Sequence, residues 1–312
     1  MRLWFALATA ALIATMPVSA LPAVAQSTPP DPVRALKQQF RTERGVQISE
    51  VTRLTRDGRT LLRMRAGGRL QFGPSGAVAS DGLWQEAPDP ATLKKREGTD
   101  DELVRIELIN VGGNRYLSGL DFGFYPAARG KTWVRTKSPR GVEADAATIS
   151  TQTIDVFDPA VLKTVLKGTT GRPVSGGFLY RGSVSYAQLY QAARNVYAVP
   201  LRGAAVEELH KMKIAWRLWT DPTGLPTRLM TSEASGGKGL PILSRTDTRY
   251  TDWGSHVLVI APPADEVVDE KELKLPDLAE LLDRLEPNEL ISALNARQDG
   301  DDSSSRARTS AH

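Results

Sequence analysis

The sequence predicts an α+β fold built on one large antiparallel sheet that helices cover. Successive short segments alternate apolar and polar residues with a period of two, and turn-forming residues separate them. Helical patterns interrupt these segments at only three or four points, which is unlike regular β-α alternation. A large curved sheet needs its concave face covered, and the helices are the available cover.

The first 25 residues have the features of a secretory signal peptide. Arg2 supplies the positive start, Leu3–Met16 the apolar core, and Ala23–Ala25 an A-x-A cleavage site. A retained membrane anchor is the alternative, but prolines interrupt the segment, and a spanning helix needs roughly 20 apolar residues. We expect cleavage before Gln26 and a secreted or extracytoplasmic mature protein.

The mature chain begins with one helix and then changes period. Asp31-Pro32 predicts a capped helix start, and the helix should run to about Arg44, where Gly45 ends it. The following strands should contain Val46 with Ile48, Leu62 with Met64, and Leu70 with Phe72. Turns are expected between them, at Asp57-Gly58 and at Gly67-Gly68.

The meander should continue beyond a charged loop at residues 94–102. The stretch "LVRIEL" alternates, Gly112–Asn114 forms a turn, and "GKTWVRT" places Trp133 in the middle of a strand. A second helix should start at Asp158-Pro159 and end at Gly168. After the strand "FLYRGSVS", Ser185 and Gln188 form a capping box for the helix "YAQLYQAARNVY".

The longest strand signal is Lys211–Trp219, in which Met212, Ile214, Trp216 and Leu218 share one face. A turn at Asp221–Pro226 returns the chain into "TRLMTS". The stretches "RTDTRYTDWGS" and "VLVIA" (Val257–Ala261) should finish the sheet.

We expect a single domain over residues 26–298 that includes an acidic amphipathic helix at about 275–296. The polar tail, residues 299–312, should be disordered. Residues 265–302 carry a net charge of −9, whereas residues 26–264 carry +10. A basic body of this kind would attract anionic polymers or headgroups if its charges cluster, and otherwise forms an ordinary solvated surface.

The residues offer no catalytic centre, cofactor site or metal site. The histidines His210, His256 and His312 lack metal-ligand spacing. Ser235 and Lys238 match an S-x-x-K motif but lie in a glycine-rich stretch rather than at a helix start. Cysteine is absent, which excludes thiol catalysis and a lipid-modified N-terminal cysteine. We therefore expect a protein that is not an enzyme.

The remaining candidate is an apolar face that lines a ligand cavity. Met and Trp suit adaptable apolar sites, although a plain core sealed by helices would give the same pattern. The candidate lining residues are Leu62, Met64, Leu70, Phe72, Trp133, Met212, Ile214, Trp216 and Leu218.

Three stretches carry a resemblance to a known family: "YRGSVSYAQLY", "RLWTDPTGLPTRL" and "YTDWGSHVLVIAPPADEVVD". Together with "GKTWVRT", and in this order, they resemble the exported lipoproteins of actinobacteria in the LppX/LprG group. The resemblance implies a fold like that of the LolA and LolB lipoprotein carriers, a curved antiparallel half-barrel over helices that encloses a cavity for lipid tails. It would make "VLVIA" the last wall of the half-barrel, with Pro262-Pro263 stopping further pairing at the sheet edge.

The resemblance implies non-catalytic work in the cell envelope, binding or transferring a lipid or another hydrophobic small molecule. The group's lipobox cysteine is missing here, so a form without a lipid anchor is expected. The alternative is an envelope interaction or sensor module with a filled core that binds another protein. Anionic envelope polymers are further possible partners; nucleic acid is not expected, and we expect a monomer.

Overall fold

The computed structural model describes residues 29–88, 93–94, 103–119, 128–137, 147–197, 206–235 and 241–273. The predicted signal peptide, the acidic C-terminal helix, the polar tail and the charged loop beyond Lys94 lie outside these residues. None of the described helices is long and apolar enough to cross a membrane.

The described residues form one open sheet of 12 strands, which confirms the predicted α+β class with a single large antiparallel sheet. The spatial order is β12-β6-β5-β4-β3-β2-β1-β11-β10-β9-β8-β7, and every pairing is antiparallel except that of β12 with β6. In chain order the strands are β1 Arg44–Arg56, β2 Arg59–Phe72, β3 Ala77–Glu86, β4 Arg105–Val111, β5 Asn114–Ser118, β6 Trp133–Lys137, β7 Arg172–Val174, β8 Gly177–Ser185, β9 Lys213–Thr220, β10 Pro226–Ser235, β11 Ile242–His256 and β12 Val267–Asp269.

Short helices pack on one face of this sheet. They are α1 Pro32–Lys37, α2 Pro159–Leu166, α3 Tyr186–Ala192, α4 Arg194–Tyr197 and α5 Val206–Lys211. The predicted caps are confirmed, because Asp31 and Asp158 accept backbone N–H groups and Ser185 forms the capping box with Gln188. The predicted long helix after Ser185 is instead two helices, since the non-helical backbone of Ala193 separates α3 from α4.

Two glycine predictions were wrong for one shared reason. The first helix ends at Lys37 rather than near Arg44, and Gly45 lies inside β1. Gly67-Gly68 is not a turn, because β2 continues through it. A side chain at Gly45 would collide with the carbonyl oxygen of Leu70, and one at Gly68 with that of Asp81. These glycines permit close backbone approach within the sheet.

By contrast, Asp57 and Gly58 do form the predicted turn, both with positive φ.

The prediction that Val257–Ala261 forms the last strand of the sheet was also wrong. The segment leaves β11 at His256 and makes no ladder pairing. Val257 and Val259 instead bury against Ala79 and against the partly buried Ile109 and Val111. The chain then forms a 3-10 turn at Ala264–Glu266 and adds β12 in parallel to β6, so Pro262-Pro263 does not mark the end of the sheet.

Candidate functional site on the inner face

The ladder register assigns alternate residues of each strand to two faces of the sheet. In β1, Ile48 and Glu50 are buried while Gln47, Ser49 and Arg53 are exposed. Leucines of α1, α2 and α3 join Ile48 in one buried cluster, so the helices cover the Ile48 side. We call this side the inner face and the opposite side the outer face.

The inner face carries the main hydrophobic core, which we call the main core. It contains five of the predicted lining residues, each 0–3% exposed: Leu70, Phe72, Ile214, Trp216 and Leu218. Ring contacts surround Phe72, whose centroid lies 5.5 Å from Phe40, 6.2 Å from Phe157 and 6.0 Å from Trp253. These residues therefore pack as protein interior.

Leu62 and Met64 lie on the same face but belong to a separate apolar group with Leu54. We call these three residues the Leu62 cluster; they are 1–8% exposed. Trp84 and Ile242, both partly buried, pack against it. Two of the nine predicted lining residues thus lie in a group separate from the five in the main core.

The last two predicted lining residues lie elsewhere. Trp133 is opposite Val267 in the ladder and one residue before Val134, which is buried. The alternation places Trp133 on the outer face, apart from the main core and the Leu62 cluster. Met212 lies between α5 and β9 and is partly buried, just before the strand that carries Ile214.

A buried carboxylate lies between the main core and the Leu62 cluster. Glu50, 2% exposed, accepts hydrogen bonds from the Thr151 N–H at 2.7 Å and the Thr151 hydroxyl at 2.6 Å. Its second oxygen accepts from the hydroxyls of Ser150 at 2.5 Å and Thr248 at 2.7 Å. Four donors satisfy this carboxylate, which makes it an anchor for the segment that follows Ile149 rather than a free base.

The same segment makes further hydrogen bonds to the inner face. The Gln152 amide donates to the Thr248 hydroxyl at 2.8 Å and accepts from the Thr231 hydroxyl at 2.8 Å. The Thr153 hydroxyl donates to Glu233 at 2.8 Å. Residues 150–153 therefore cross the face of β1, β11 and β10 along a polar band, which we call the polar crossing.

Asp155 follows the polar crossing and has an unusual environment. Burial, with a smaller effect of the Asp158 carboxylate, raises the pKa of Asp155 from 3.8 to about 7. Its carboxylate accepts the Phe157 N–H at 2.8 Å. The nearby Tyr197 hydroxyl donates to the Thr153 carbonyl at 2.8 Å, and burial raises the pKa of Tyr197.

Among the described residues, no group of three or more Asp, Glu, His or Cys side chains is placed to hold a metal ion. His256 Nε2 lies 3.2 Å from Glu43 Oε2 at an exposed position, and His210 lies in the last turn of α5. Ser235 is the last residue of β10, while Lys238 and His312 lie outside the described residues.

Sequence reasoning missed Glu50 and the polar crossing. The signal for Glu50 was present, because the stretch "VQISE" places an acid in phase with Val46 and Ile48 on the apolar side. A carboxylate at an inward strand position needs hydrogen-bond donors, which here come from residues 100 to 198 positions away.

No protein-family model matches the sequence, and no curated protein matches it. Solved structures give weak likenesses. A LolA superfamily protein from Nitrosomonas europaea aligns with a TM-score of 0.24 and 8% identity, over 73% of this chain and 93% of that one. A porin-like protein from Bacteroides uniformis gives 0.24 and 9%, over 68% and 98%. An S-type phycobiliprotein lyase from Guillardia theta gives 0.21 and 8%, over 72% and 93%. At these TM-scores the likenesses carry no argument about the ligand of this chain.

Proposed function

We propose that this chain is an exported, non-catalytic protein of the bacterial cell envelope that binds lipid or another hydrophobic ligand at the Leu62 cluster. The observation that carries the proposal is the position of this cluster. Leu54, Leu62 and Met64 point to the inner face, yet the polar crossing separates them from the main core. They are buried apolar side chains that lie outside the cluster against which the described helices pack.

The site proposed here is narrower than the one expected from the sequence. Ile214, Trp216 and Leu218 pack in the main core and contribute to the stability of the fold. Met64 belongs to the Leu62 cluster and the partly buried Trp84 packs against it, and both side-chain types adapt to apolar ligands of varied shape.

The cellular location in this proposal rests on the N-terminal sequence. The signal-peptide features of residues 1–25 and the absence of cysteine support an exported protein without a lipid anchor. The resemblance of four stretches to the LppX/LprG group supports an actinobacterial lipid carrier in particular.

Mass spectrometry of lipids that co-purify with the mature protein tests the proposal. We expect the wild type to retain lipid and Leu62→Ser to lose it while remaining folded by circular dichroism. Ile214→Ser is the matched control, because the same type of change in the main core should mainly lower the melting temperature. A wild type without lipid, or a Leu62→Ser variant that keeps it, would contradict the proposal.

The second candidate is an interaction module with a filled core. The packing of Phe72, Phe157, Tyr250 and Trp253 favours it, because these rings lie 5.6–6.4 Å apart and fill the main core. This candidate predicts a wild type that purifies without lipid. It also predicts that Leu62→Ser lowers stability to a similar extent as Ile214→Ser.

A further inference from the structure

The outer face carries a group of arginines with no acidic partner in the described part of the chain. Two exposed or partly exposed acids of β11 have partners outside this group: Asp247 pairs with Arg228 at 2.6 Å, and Asp252 accepts a hydrogen bond from the Thr251 hydroxyl. We call the group of outward arginines without an acidic partner the arginine face. It consists of Arg53, Arg63, Arg65, Arg181, Arg217, Arg245 and Arg249.

Several of these arginines are direct cross-strand neighbours. Arg53 of β1 faces Arg63 of β2 on one side and Arg245 of β11 on the other. Arg181 of β8 faces Arg217 of β9. Side chains directly opposite each other in a ladder are roughly 5 Å apart at Cβ, and like charges there repel. This arrangement suits an external anion.

Arginines elsewhere on the outer face have partners within the protein. Arg69 pairs with Asp81, Arg135 with Asp269 at 3.0 Å, and Arg105 with Glu107 at 3.0 Å. Acids therefore lie beside arginines of β2, β4, β6 and β10, whereas at the centre of the face Arg53 of β1 lies opposite Arg245 of β11. Uncompensated positive charge is concentrated at the centre.

An apolar margin adjoins the arginine face. Val257 and Val259 bury against the outer face, and the alternating Leu258 and Ile260 are 51% and 70% exposed. Leu258 and Ile260 therefore project away from the sheet, in the same direction as the arginines. Val257 lies against Gly45 of β1. Ser49, four residues further along β1, has Arg249 as its ladder partner. Gly45 and Ser49 are about 13 Å apart along the strand, so the apolar margin lies close to the arginine face.

We propose that the outer face docks on the surface of an anionic lipid bilayer. The guanidinium groups would bind headgroup phosphates, for which their planar donor arrangement is well suited. Leu258 and Ile260 would enter the headgroup boundary. The exposed apolar pair favours a bilayer over a soluble polyanion, because only a bilayer offers apolar surface beside the charge. This inference concerns the outer face and is independent of ligand binding on the inner face.

Co-sedimentation of the full chain with vesicles tests the proposal. We expect at least about tenfold stronger binding to vesicles of equal parts phosphatidylglycerol and phosphatidylcholine than to phosphatidylcholine alone. Raising NaCl from about 0.05 to about 0.3 M should weaken this binding severalfold, because salt screens exposed charges. Equal binding of the wild type to both kinds of vesicle would overturn the proposal.

Matched variants identify the surface. The double substitution Arg53→Ser with Arg245→Ser should weaken vesicle binding about tenfold. The control, Lys163→Ser with Lys167→Ser, changes the charge equally at exposed positions on α2 and its C-cap. It should leave vesicle binding unchanged. Leu258→Ser with Ile260→Ser should weaken binding at high salt as well as at low salt. If this apolar variant binds vesicles like the wild type, and dextran sulfate competes fully, the proposal is overturned in favour of a soluble polyanion.

Discussion

The inner and outer faces of the sheet come from the same strands but differ in how their polar groups are satisfied. On the inner face, Glu50 and the threonines around it are paired within the fold. On the outer face, Arg53 lies between Arg63 and Arg245 in the ladder, and no acid lies directly opposite any of the three on β1, β2 or β11. Glu50 and its hydrogen-bond donors are thus committed to structure, while the arginines at the centre of the outer face remain available for recognition.

The sharpest test of this comparison is substitution of adjacent residues in β1. Glu50→Ala would leave the Thr151 N–H and several buried hydroxyls without an acceptor, and we expect the free energy of unfolding to fall by about 3–5 kcal/mol. Ser49→Ala, at the neighbouring exposed position, should change it by less than about 0.5 kcal/mol. Urea denaturation measures both, and a Glu50→Ala loss below about 1 kcal/mol would contradict the anchoring role of Glu50.

An apolar version of the same test uses β9. Leu218 is 1% exposed, so Leu218→Ala should lower the free energy of unfolding by about 2–4 kcal/mol. The preceding residue, Arg217, points outward, and Arg217→Ala should be nearly neutral by comparison. Thermal and urea unfolding measure the pair, and similar losses in both variants would contradict the assignment of faces.

The pH dependence of stability tests the buried end of the polar crossing. Because the pKa of Asp155 is raised to about 7 in the folded state, the folded protein binds this proton where the unfolded chain releases it. The contribution of Asp155 to stability is therefore full below about pH 4 and declines as the pH rises through 7. Since Asp155 keeps some contact with solvent, we expect Asp155→Asn to be more stable than the wild type by about 1–2 kcal/mol at pH 8.

Below pH 4 the difference between Asp155→Asn and the wild type should disappear. Asp158→Asn serves as a control at the N-cap of α2 and should lower stability, because Asp158 accepts two backbone N–H groups there. Melting temperatures measured from below pH 4 up to pH 8 separate the two variants. A difference that is independent of pH would contradict the raised pKa of Asp155.

The smallest expected effect is on the arginine face. Arg245→Ser removes a like-charge neighbour of Arg53, so stability should rise by a few tenths of a kcal/mol at low ionic strength. The gain should vanish at about 1 M salt, where exposed charges are screened. Arg228→Ser, which breaks the pair with Asp247, should show no such gain. A loss of stability in Arg245→Ser would mean that the arginine has an internal partner.

Local patterns in the sequence predict the faces of the strands well but not their neighbours. Alternation assigned the inward positions of Ile214, Trp216 and Leu218. The same alternation occurs in Val257–Ala261, where Val257 and Val259 are buried, yet this segment packs on the outer face instead of joining the sheet. One-sided burial is visible in a sequence, whereas the identity of the burying surface depends on distant residues.

The candidate site was less predictable than the fold. The sequence indicated that Leu62 and Ile214 are both apolar and strand-borne, but their separation depends on residues 150–153 crossing between them. That crossing is made of Ser, Thr and Gln, which read locally as an ordinary polar loop. Hydrogen bonds to distant residues, among them Glu50, Thr248 and Glu233, give these residues their position.

The pairing of β1 with β11 sets the order in which the protein can complete its fold. Strands β1–β6 and strands β7–β11 are each contiguous in sequence, and they join through this one ladder. The hydrogen bond from Thr248 to Glu50 spans 198 residues. A nascent chain therefore exposes the open edge of β1 until β11 has been synthesised, and contacts of this sequence separation favour slow folding. During this interval the unpaired edge is the place where a chaperone would protect the chain from aggregation.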